Sequence, residues 1–349
     1  MPRSLSGPTL ITTDAVGGVW RYATTLAAGM VARGLPVVFA VLGPNANAAQ
    51  VRAAPAQVVQ TGLPLDWTAR DAVALRHVSA RLAMLAGQLG VGQVHLHAPA
   101  LVGTVRWPAP VVAVTHSCVA TWWEAVRGGP PDLALTWRID ATRAGLLAAG
   151  QVIAPSAAHA DATQRLYGPL PITVVHNGVD PVPANATRTP SILTAGRLWD
   201  EGKGVAWLDR ATPRIAVPVR AAGPVQGPVG GLAQFQYLDL LGTLDPSGMA
   251  HAMAEASVFA SLPAYEPFGL AVLEAAYARC ALVLRDIPSA RELWDGAALF
   301  VADEAALVPV LHEALRDSAA WGARAQARAT RYTVDAMVDG TLAVHRMLA

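Results

Sequence analysis

The sequence predicts an α/β protein built from two doubly wound units, and three observations carry that prediction. Short β-rich runs alternate with longer alanine- and leucine-rich stretches, the pattern of parallel strands joined by crossover helices. A length of 349 residues is more than one core usually organises and suits two domains. Between two such alternations lies "VDPVPANATRTPS" at 179–191, with three prolines and no apolar periodicity, which reads as a linker.

Taken in order, the first half offers strands at 9–13, 36–42, 93–98, 110–116, 151–156 and 172–178, with helical stretches between them. The second half repeats the plan at 191–196, 215–223, 257–263 and 280–286. These runs place a first domain over 1–180 and open a second at 181, and the final "VDAMVDGTLAVHRML" forms a terminal helix. No internal repeat of 20–50 residues is present, which argues against solenoids and propellers.

Composition excludes several classes. With 53% hydrophobic and 15% charged residues the chain has ample apolar surface to bury and lacks the signature of disorder. A net charge of +1 gives no reason to expect nucleic acid as a partner. Residues 1–180 hold 12 basic and 8 acidic side chains, a small excess that leaves peripheral membrane contact or an anionic acceptor open without arguing for either. Cys118 and Cys280 are too few and too far apart for a disulfide framework. The start lacks an apolar signal core and no run of ~18 apolar residues follows, so a cytoplasmic protein without a membrane span is expected.

In doubly wound sheets ligands bind beyond the carboxyl ends of the strands, and the unusual residues fall there. Gly17 and Gly18 follow the first strand, His116 ends "PVVAVTH", Arg197 follows "SILTAG" and Glu266 follows "SVFASLP". Two of these strand ends belong to each half, which points to a site in a cleft between the domains. On "QVHLHA" we expect His95 in the core and His97, on the opposite face, toward the cleft rim. Trp122 and Trp123 offer aromatic faces for a sugar ring, or simply packing. Cys118 lies near His116 without a third orienting group, so a thiol nucleophile is not expected.

"GRLWDEGKGV" at 196–205 contains Lys203, the single lysine beside 25 arginines. It is not a P-loop: five residues separate Gly196 from Gly202, and Gly204 stands where a Mg²⁺-binding hydroxyl belongs. What remains is a planar bidentate donor, Arg197, and a compact point charge, Lys203, which together suit a diphosphate. Taken as an isolated pair, they read more readily as solvated surface charges, since basic loops are common. In "EPFGLAVLE", Pro267 suits the first turn of a helix and Glu274 follows Glu266 by eight residues. On one helix the two carboxylates lie roughly 12 Å apart, too far for a glycosidase pair. That spacing fits a ligand with hydroxyls at both ends and an anion between, held by N–H groups at Phe268, Gly269 and Leu270. The plainer alternative is an N-cap-like Glu266 and an exposed Glu274.

Together these segments resemble the retaining nucleotide-sugar glycosyltransferases of family 4. The matching features are "GRLWDEGKGV", the E-x₇-E of "EPFGLAVLE", the preceding "ASVFASLPAYEPFG", "HNGVD" at 176–180 and "GGVWRYATTLA" after the first strand. The resemblance runs from about Thr9 to the C-terminus and implies a GT-B fold, two Rossmann-like domains facing each other across a cleft. It implies transfer of a hexose-type sugar from a nucleoside diphosphate sugar, UDP or GDP first, to a carbohydrate or other hydroxyl acceptor with retention. By it, Arg197 and Lys203 bind the diphosphate as it leaves, and Glu266 bonds the transferred sugar with help from backbone N–H groups near Phe268, Gly269 and Leu270. Glu274 holds the ribose, Gly17 and Gly18 let the first loop approach the donor, and His116 lies beside the donor sugar. Trp122, Trp123 and His97 are left as acceptor contacts, and the resemblance implies that a terminal segment over 328–349 crosses back to pack on the first domain, which leaves 181–327 as the second.

The chain departs from the family pattern in placing Lys203 six residues after Arg197, one more than in many relatives, and in "ARCALV" where Gly-x-Pro-Val is usual. No Asp-x-Asp and no metal-ligand spacing occurs, so neither a metal nor another cofactor is expected. The competing functions are a nucleotide-sugar epimerase or hydrolase of the same fold, and a non-catalytic nucleotide-sugar-binding protein.

Overall fold

A computed structural model describes residues 7–348 except positions 16, 104, 182, 183, 185, 228 and 229. Part of the expected linker, at 182, 183 and 185, therefore lies outside the described residues. The chain forms two compact units, one made of residues up to Gly178 together with those from Val334 onward, the other of Val179–Thr333. The segments expected as 181–327 and 328–349 thus divide in the structure at Thr333 and Val334.

The first unit is a seven-stranded, wholly parallel sheet of β1 (Thr9–Thr13), β2 (Val37–Val41), β3 (Gln57–Gln60), β4 (Gln93–Leu96), β5 (Val111–Val114), β6 (Gln151–Ala154) and β7 (Ile172–Val174). Its order is β3-β2-β1-β4-β5-β6-β7. The crossovers are α1 (Gly18–Ala32), α2 (Ala48–Ala53), α3 (Ala72–Gln88), α4 (Val119–Val126), α5 (Thr136–Ala148) and α6 (Ala157–Tyr167). The inner strands read as continuous apolar runs because both faces are covered, and β1 and β2 are buried along their whole length. One face packs Leu10, Val38 and Leu96 against Leu82 of α3 and Leu146 of α5. The other packs Ile11, Phe39 and Val112 against α1 and the C-terminal helix.

The second unit is a six-stranded parallel sheet of β8 (Thr189–Ala195), β9 (Val219–Ala222), β10 (Asp239–Gly242), β11 (Ala256–Ser261), β12 (Ala281–Arg285) and β13 (Leu299–Val301). Its order is β10-β9-β8-β11-β12-β13. Its helices are α7 (Val205–Ala211), α8 (Pro246–Glu255), α9 (Leu270–Tyr277), α10 (Pro288–Trp294), α11 (Leu307–Arg316) and α12 (Ser318–Ala329).

The last helix, α13 (Val334–Arg346), returns to the first unit and packs on α1. Gly29 makes that approach close, since a Cβ there would lie 2.4 Å from a Val338 methyl. Arg33, at the end of α1, pairs with Asp335 at 2.8 Å and Asp339 at 3.0 Å. Among the described residues no helix is long and apolar enough to cross a membrane.

Candidate functional site

Each sheet has one switch point, where crossovers leave in opposite directions and the strand ends part to form a crevice. In the second unit it lies between β8 and β11, and both following loops carry charged residues singled out in the sequence. After β8 the chain passes Gly196 and Arg197 and makes a 3₁₀ turn over Glu201–Lys203, capped by Asp200, whose Oδ1 accepts from Gly202 N–H at 3.0 Å. Gly204 follows with φ +66, and a Cβ there would lie 2.1 Å from the Leu262 carbonyl oxygen, in the loop after β11. Only glycine tolerates both the left-handed backbone and that approach. Ala264 N–H then donates to the Gly202 carbonyl at 2.8 Å, fastening the two loops.

Clamped in this way, Lys203 Nζ donates to Glu266 Oε2 at 2.6 Å, with 22% and 25% of the two side chains exposed. The lone lysine and the strand-end carboxylate, drawn from separate motifs, are therefore direct partners. Arg197 stands more open: its side chain is 61% exposed, bonds the Asp200 carboxylate at 3.0 Å and lies over the Trp199 ring.

One expectation is corrected. Glu266, Pro267 and Phe268 are loop, and α9 starts at Leu270 behind Gly269, whose φ of +87 is left-handed and cannot belong to the helix. Glu266 and Glu274 do not share a helix, and the rise-per-residue spacing does not apply to them. The N–H groups of Val272 and Leu273 donate to the Gly269 carbonyl at 3.0 and 3.1 Å, which leaves those of Leu270 and Ala271 as the first-turn groups without an intrahelical acceptor. The Phe268 ring is core, edge-on to Tyr332 with centroids 5.6 Å apart. Glu274 is half-buried in mid-helix.

Ser289 Oγ donates to the Glu266 carbonyl at 2.5 Å, and a small recess opens there, lined by Glu266, Phe268 and Ser289 among others. Sequence reading missed Asp200 and Ser289 as supports. The Asp-x-Gly spacing of Asp200 and Gly202 is an Asx-turn signal that would have found the first. The second rests on a contact between residues 23 positions apart, which no local signal marks.

In the first unit the switch point lies between β1 and β4. Gly17 is the N-cap of α1 with φ +78, and Gly18 opens the helix, so the positive end of a 15-residue helix stands at the crevice. His97 N–H donates to Thr12 Oγ1 at 3.0 Å and joins the ends of β1 and β4. His116 follows β5, half-buried, with the Tyr22 ring 4.6 Å away edge-on, a support not anticipated from sequence. Its Nε2 is enclosed with no hydrogen-bond partner among the described residues. Burial, reinforced by His159, pushes its pKa down to about 3, so the imidazole is neutral at physiological pH.

His97 is buried, and its ring meets that of His95 at 5.1 Å. Its expected place at an exposed rim, on the face opposite His95, is thus corrected: residues two apart on a strand share a face. Trp122 and Trp123 are half-buried neighbours on α4, ring centroids 6.4 Å apart. Cys118 caps that helix, its Sγ accepting from Thr121 N–H at 3.4 Å and from Tyr167 OH at 3.3 Å, so its thiol serves the fold.

The second unit thus presents two cations, a carboxylate and helix-end N–H groups, a set suited to an anion beside hydroxyls. The first presents a neutral imidazole and a glycine-opened helix end.

Against known proteins, residues 16–182 match the family described as Glycosyltransferase Family 4, and residues 189–317 match Glycosyl transferases group 1. The chain is 29% identical to the glycogen synthase of Mycobacterium tuberculosis, over 78% of this chain and 72% of that protein. Among solved structures it superposes on sucrose-phosphate synthase from Thermosynechococcus elongatus with a TM-score of 0.80 at 16% identity, covering 98% of this chain and 99% of that one. Anabaena HepE, solved in complex with UDP and glucose, superposes with a TM-score of 0.75 at 15% identity, covering 98% and 100%. At such identities the structural likeness speaks for the fold.

Proposed function

Since the chain belongs to the family 4 glycosyltransferases and has the GT-B type of fold, we propose that it transfers a hexose from a nucleoside diphosphate sugar to an acceptor hydroxyl with retention of configuration. The observation that carries this reading is the Lys203–Glu266 pair at 2.6 Å, at the switch point between β8 and β11. A cation that binds phosphate and a carboxylate that binds hydroxyls stand side by side, as the phosphate–sugar junction of such a donor requires.

Without donor each neutralises the other. When the diphosphate arrives, Lys203 turns toward it and frees Glu266 to accept from the hydroxyls of the transferred sugar. Arg197, open and planar, takes the diphosphate bidentately, and the N–H groups of Leu270 and Ala271 add helix-end dipole. Glu274 holds the ribose. In the first unit Gly17 and Gly18 let backbone approach the donor, and neutral His116 hydrogen-bonds the donor sugar. Trp122 and Trp123 are the acceptor contacts we retain.

In the reaction the bond between the anomeric carbon and the diphosphate oxygen breaks while the acceptor oxygen bonds to that carbon on the same face. The acceptor proton passes to the departing phosphate oxygen. Catalysis is then electrostatic stabilisation of the charge that develops on the leaving group. The cations of the second unit supply it, and neither a metal nor another cofactor is required. UDP-glucose is the first donor to try, because HepE was solved with UDP and glucose.

Thermal-shift measurements with UDP, GDP, ADP and TDP test the donor class, since a ligand of the folded state raises the melting temperature by mass action. A shift with one nucleotide, UDP first, is expected. No shift with any of them contradicts the reading.

A further inference from the structure

Four imidazoles run in contact through the first unit, and only one of them has a place in the proposed reaction. His345 lies on α13, His95 on β4, His97 directly after it and His116 after β5. Successive ring centroids are 5.3, 5.1 and 5.0 Å apart, the first pair stacked and the other two edge-to-face. Tyr22 of α1 closes the run, edge-on to His97 at 5.2 Å and to His116 at 4.6 Å. His95, His97 and His345 are all buried.

Among the described residues one hydrogen bond lies within the run, between His95 Nδ1 and His345 Nε2 at 3.0 Å. Among the described residues His95 Nε2, both nitrogens of His97 and His116 Nε2 are enclosed without a partner. An unpaired buried polar atom carries an uncompensated desolvation cost, so leucine or phenylalanine would fill this volume at lower cost, and ring polarity is what the imidazoles add. Burial lowers the pKa of all four, with mutual repulsion adding for His95 and His97, so each ring is neutral near pH 7.

A neutral imidazole has one N–H and one bare nitrogen, and which is which depends on what each nitrogen faces. In the His95–His345 bond one ring must donate and the other accept, so their tautomers are linked. Beyond that bond the rings meet edge to face, without a hydrogen bond among the described residues. The tautomer of each ring sets whether an N–H or a bare nitrogen lies at the contact, and the positive N–H edge is the one a ring face favours. At the far end, α13 is held to α1 by the Gly29–Val338 approach and the Arg33 ion pairs, so His345 has a fixed position.

We propose that His345, His95 and His97 are positioning residues for His116: through this run of rings the C-terminal helix fixes which nitrogen of His116 carries the proton and how the ring is held. The tautomer decides whether His116 donates to a sugar hydroxyl or accepts from one. That consequence rests on the reading of His116 as a donor-sugar contact; the coupling between the rings does not.

The test is imidazole nitrogen NMR of the full-length, ¹⁵N-histidine-labelled protein at neutral pH without ligand, with His116 assigned from its missing signals in His116→Gln. His345→Leu fills the volume without the hydrogen bond, whereas His345→Gln restores a polar atom at similar reach. We expect His345→Leu to move the His116 ring nitrogens toward a tautomer mixture and His345→Gln to return them to the wild-type positions. With UDP-glucose as probe, kcat is expected to fall about tenfold in His345→Leu, within the ~10²-fold that slight misplacement produces, and to recover in His345→Gln.

Unchanged His116 signals in folded His345→Leu would overturn the proposal, as would equal displacement by Leu and Gln. Should His345→Leu not fold, His97→Phe breaks the next link and is judged on the same signals. Absence of UDP-glucose turnover in the wild type counts against the donor assignment alone, and the NMR comparison still decides the coupling.

Discussion

At its switch point the second unit carries ions: Lys203 against Glu266, and Arg197 against Asp200 within one turn of chain. At the equivalent place in the first unit, between β1 and β4, stand a glycine-opened helix end and neutral imidazoles. The topology is the same, yet one sheet spends its strand ends on charge and the other on polar groups that burial keeps uncharged. The difference follows from the ligand parts proposed for each. A departing diphosphate needs mobile positive charge, which a partly exposed ammonium provides, whereas sugar hydroxyls need directional hydrogen bonds, which neutral groups provide without attracting the phosphate away from its own site.

The comparison breaks most readily at Lys203. Lys203→Ala removes one charge from the leaving group and leaves Glu266 unpaired, and turnover should fall by ~10²–10³-fold, as when a transition-state donor is removed. Arg210 is the control: it makes a bidentate pair with Glu304 at 2.6 and 2.8 Å, the two side chains 56% and 38% exposed, and pairs open to solvent contribute little. Arg210→Ala should leave kcat within about twofold of wild type. Equal losses in the two variants would contradict the role given to Lys203.

Acid separates the two units in stability. The four imidazoles of the run in the first unit, His95, His97, His116 and His345, have folded pKa values below the unfolded value of 6.5, about 4 for His345 and about 3 for His116. Below pH 6.5 the unfolded chain binds protons that the folded chain refuses. The contribution is therefore fully present above 6.5 and is lost as pH falls toward 4 and then 3. From His345 alone the loss is about 2 kcal/mol at pH 5. In the second unit the shifted acids are carboxylates, such as Asp286 and Glu304, held below their ordinary range by Arg291 and Arg210. Their contribution is lost only below pH ~4. Hydrogen exchange at pH 7 and pH 5, corrected for intrinsic rate, should show easier opening of β4, β5 and α13 at pH 5 and unchanged protection of β8 and β11. Equal loosening of both sheets would remove the distinction.

What the sequence made legible follows the same physics. The inner strands, covered on both faces, are continuous apolar runs and were found within a few residues, β1 to the residue. The strands it missed, β3, β10 and β13, all lie at sheet edges. They are four, four and three residues long, as "QVVQ", "DLLG" and "LFV", and short polar-flanked edges carry little pattern. Lys203 and Glu266 could each be singled out by position at a strand end, but their contact spans 63 residues and depends on Gly204 letting two loops close. The start of α9 was misplaced because Gly269 takes a left-handed conformation that the strong helical run beyond it conceals. The histidine run was illegible for a further reason: it gathers positions 95, 97, 116 and 345, and no spacing along a chain announces a neighbour 250 residues away.

The smallest expected effect concerns Cys118, two residues from His116. A thiol beside an imidazole suggests a reactive pair, and if that were its use the first unit would be ionic chemistry in disguise. The geometry gives the sulfur other partners: Thr121 N–H at 3.4 Å and Tyr167 OH at 3.3 Å, the contacts of a helix cap. Removing a capping side chain costs ~0.5–2 kcal/mol, and sulfur, a weak acceptor, should lie at the low end. Cys118→Ala should therefore lower stability by about 0.5 kcal/mol and leave kcat unchanged, and Cys118→Ser should recover the stability because a serine oxygen caps at least as well. Loss of turnover in both variants, with folding intact, would place a nucleophile in the unit now described as neutral, and the contrast between the two strand ends would have to be drawn again.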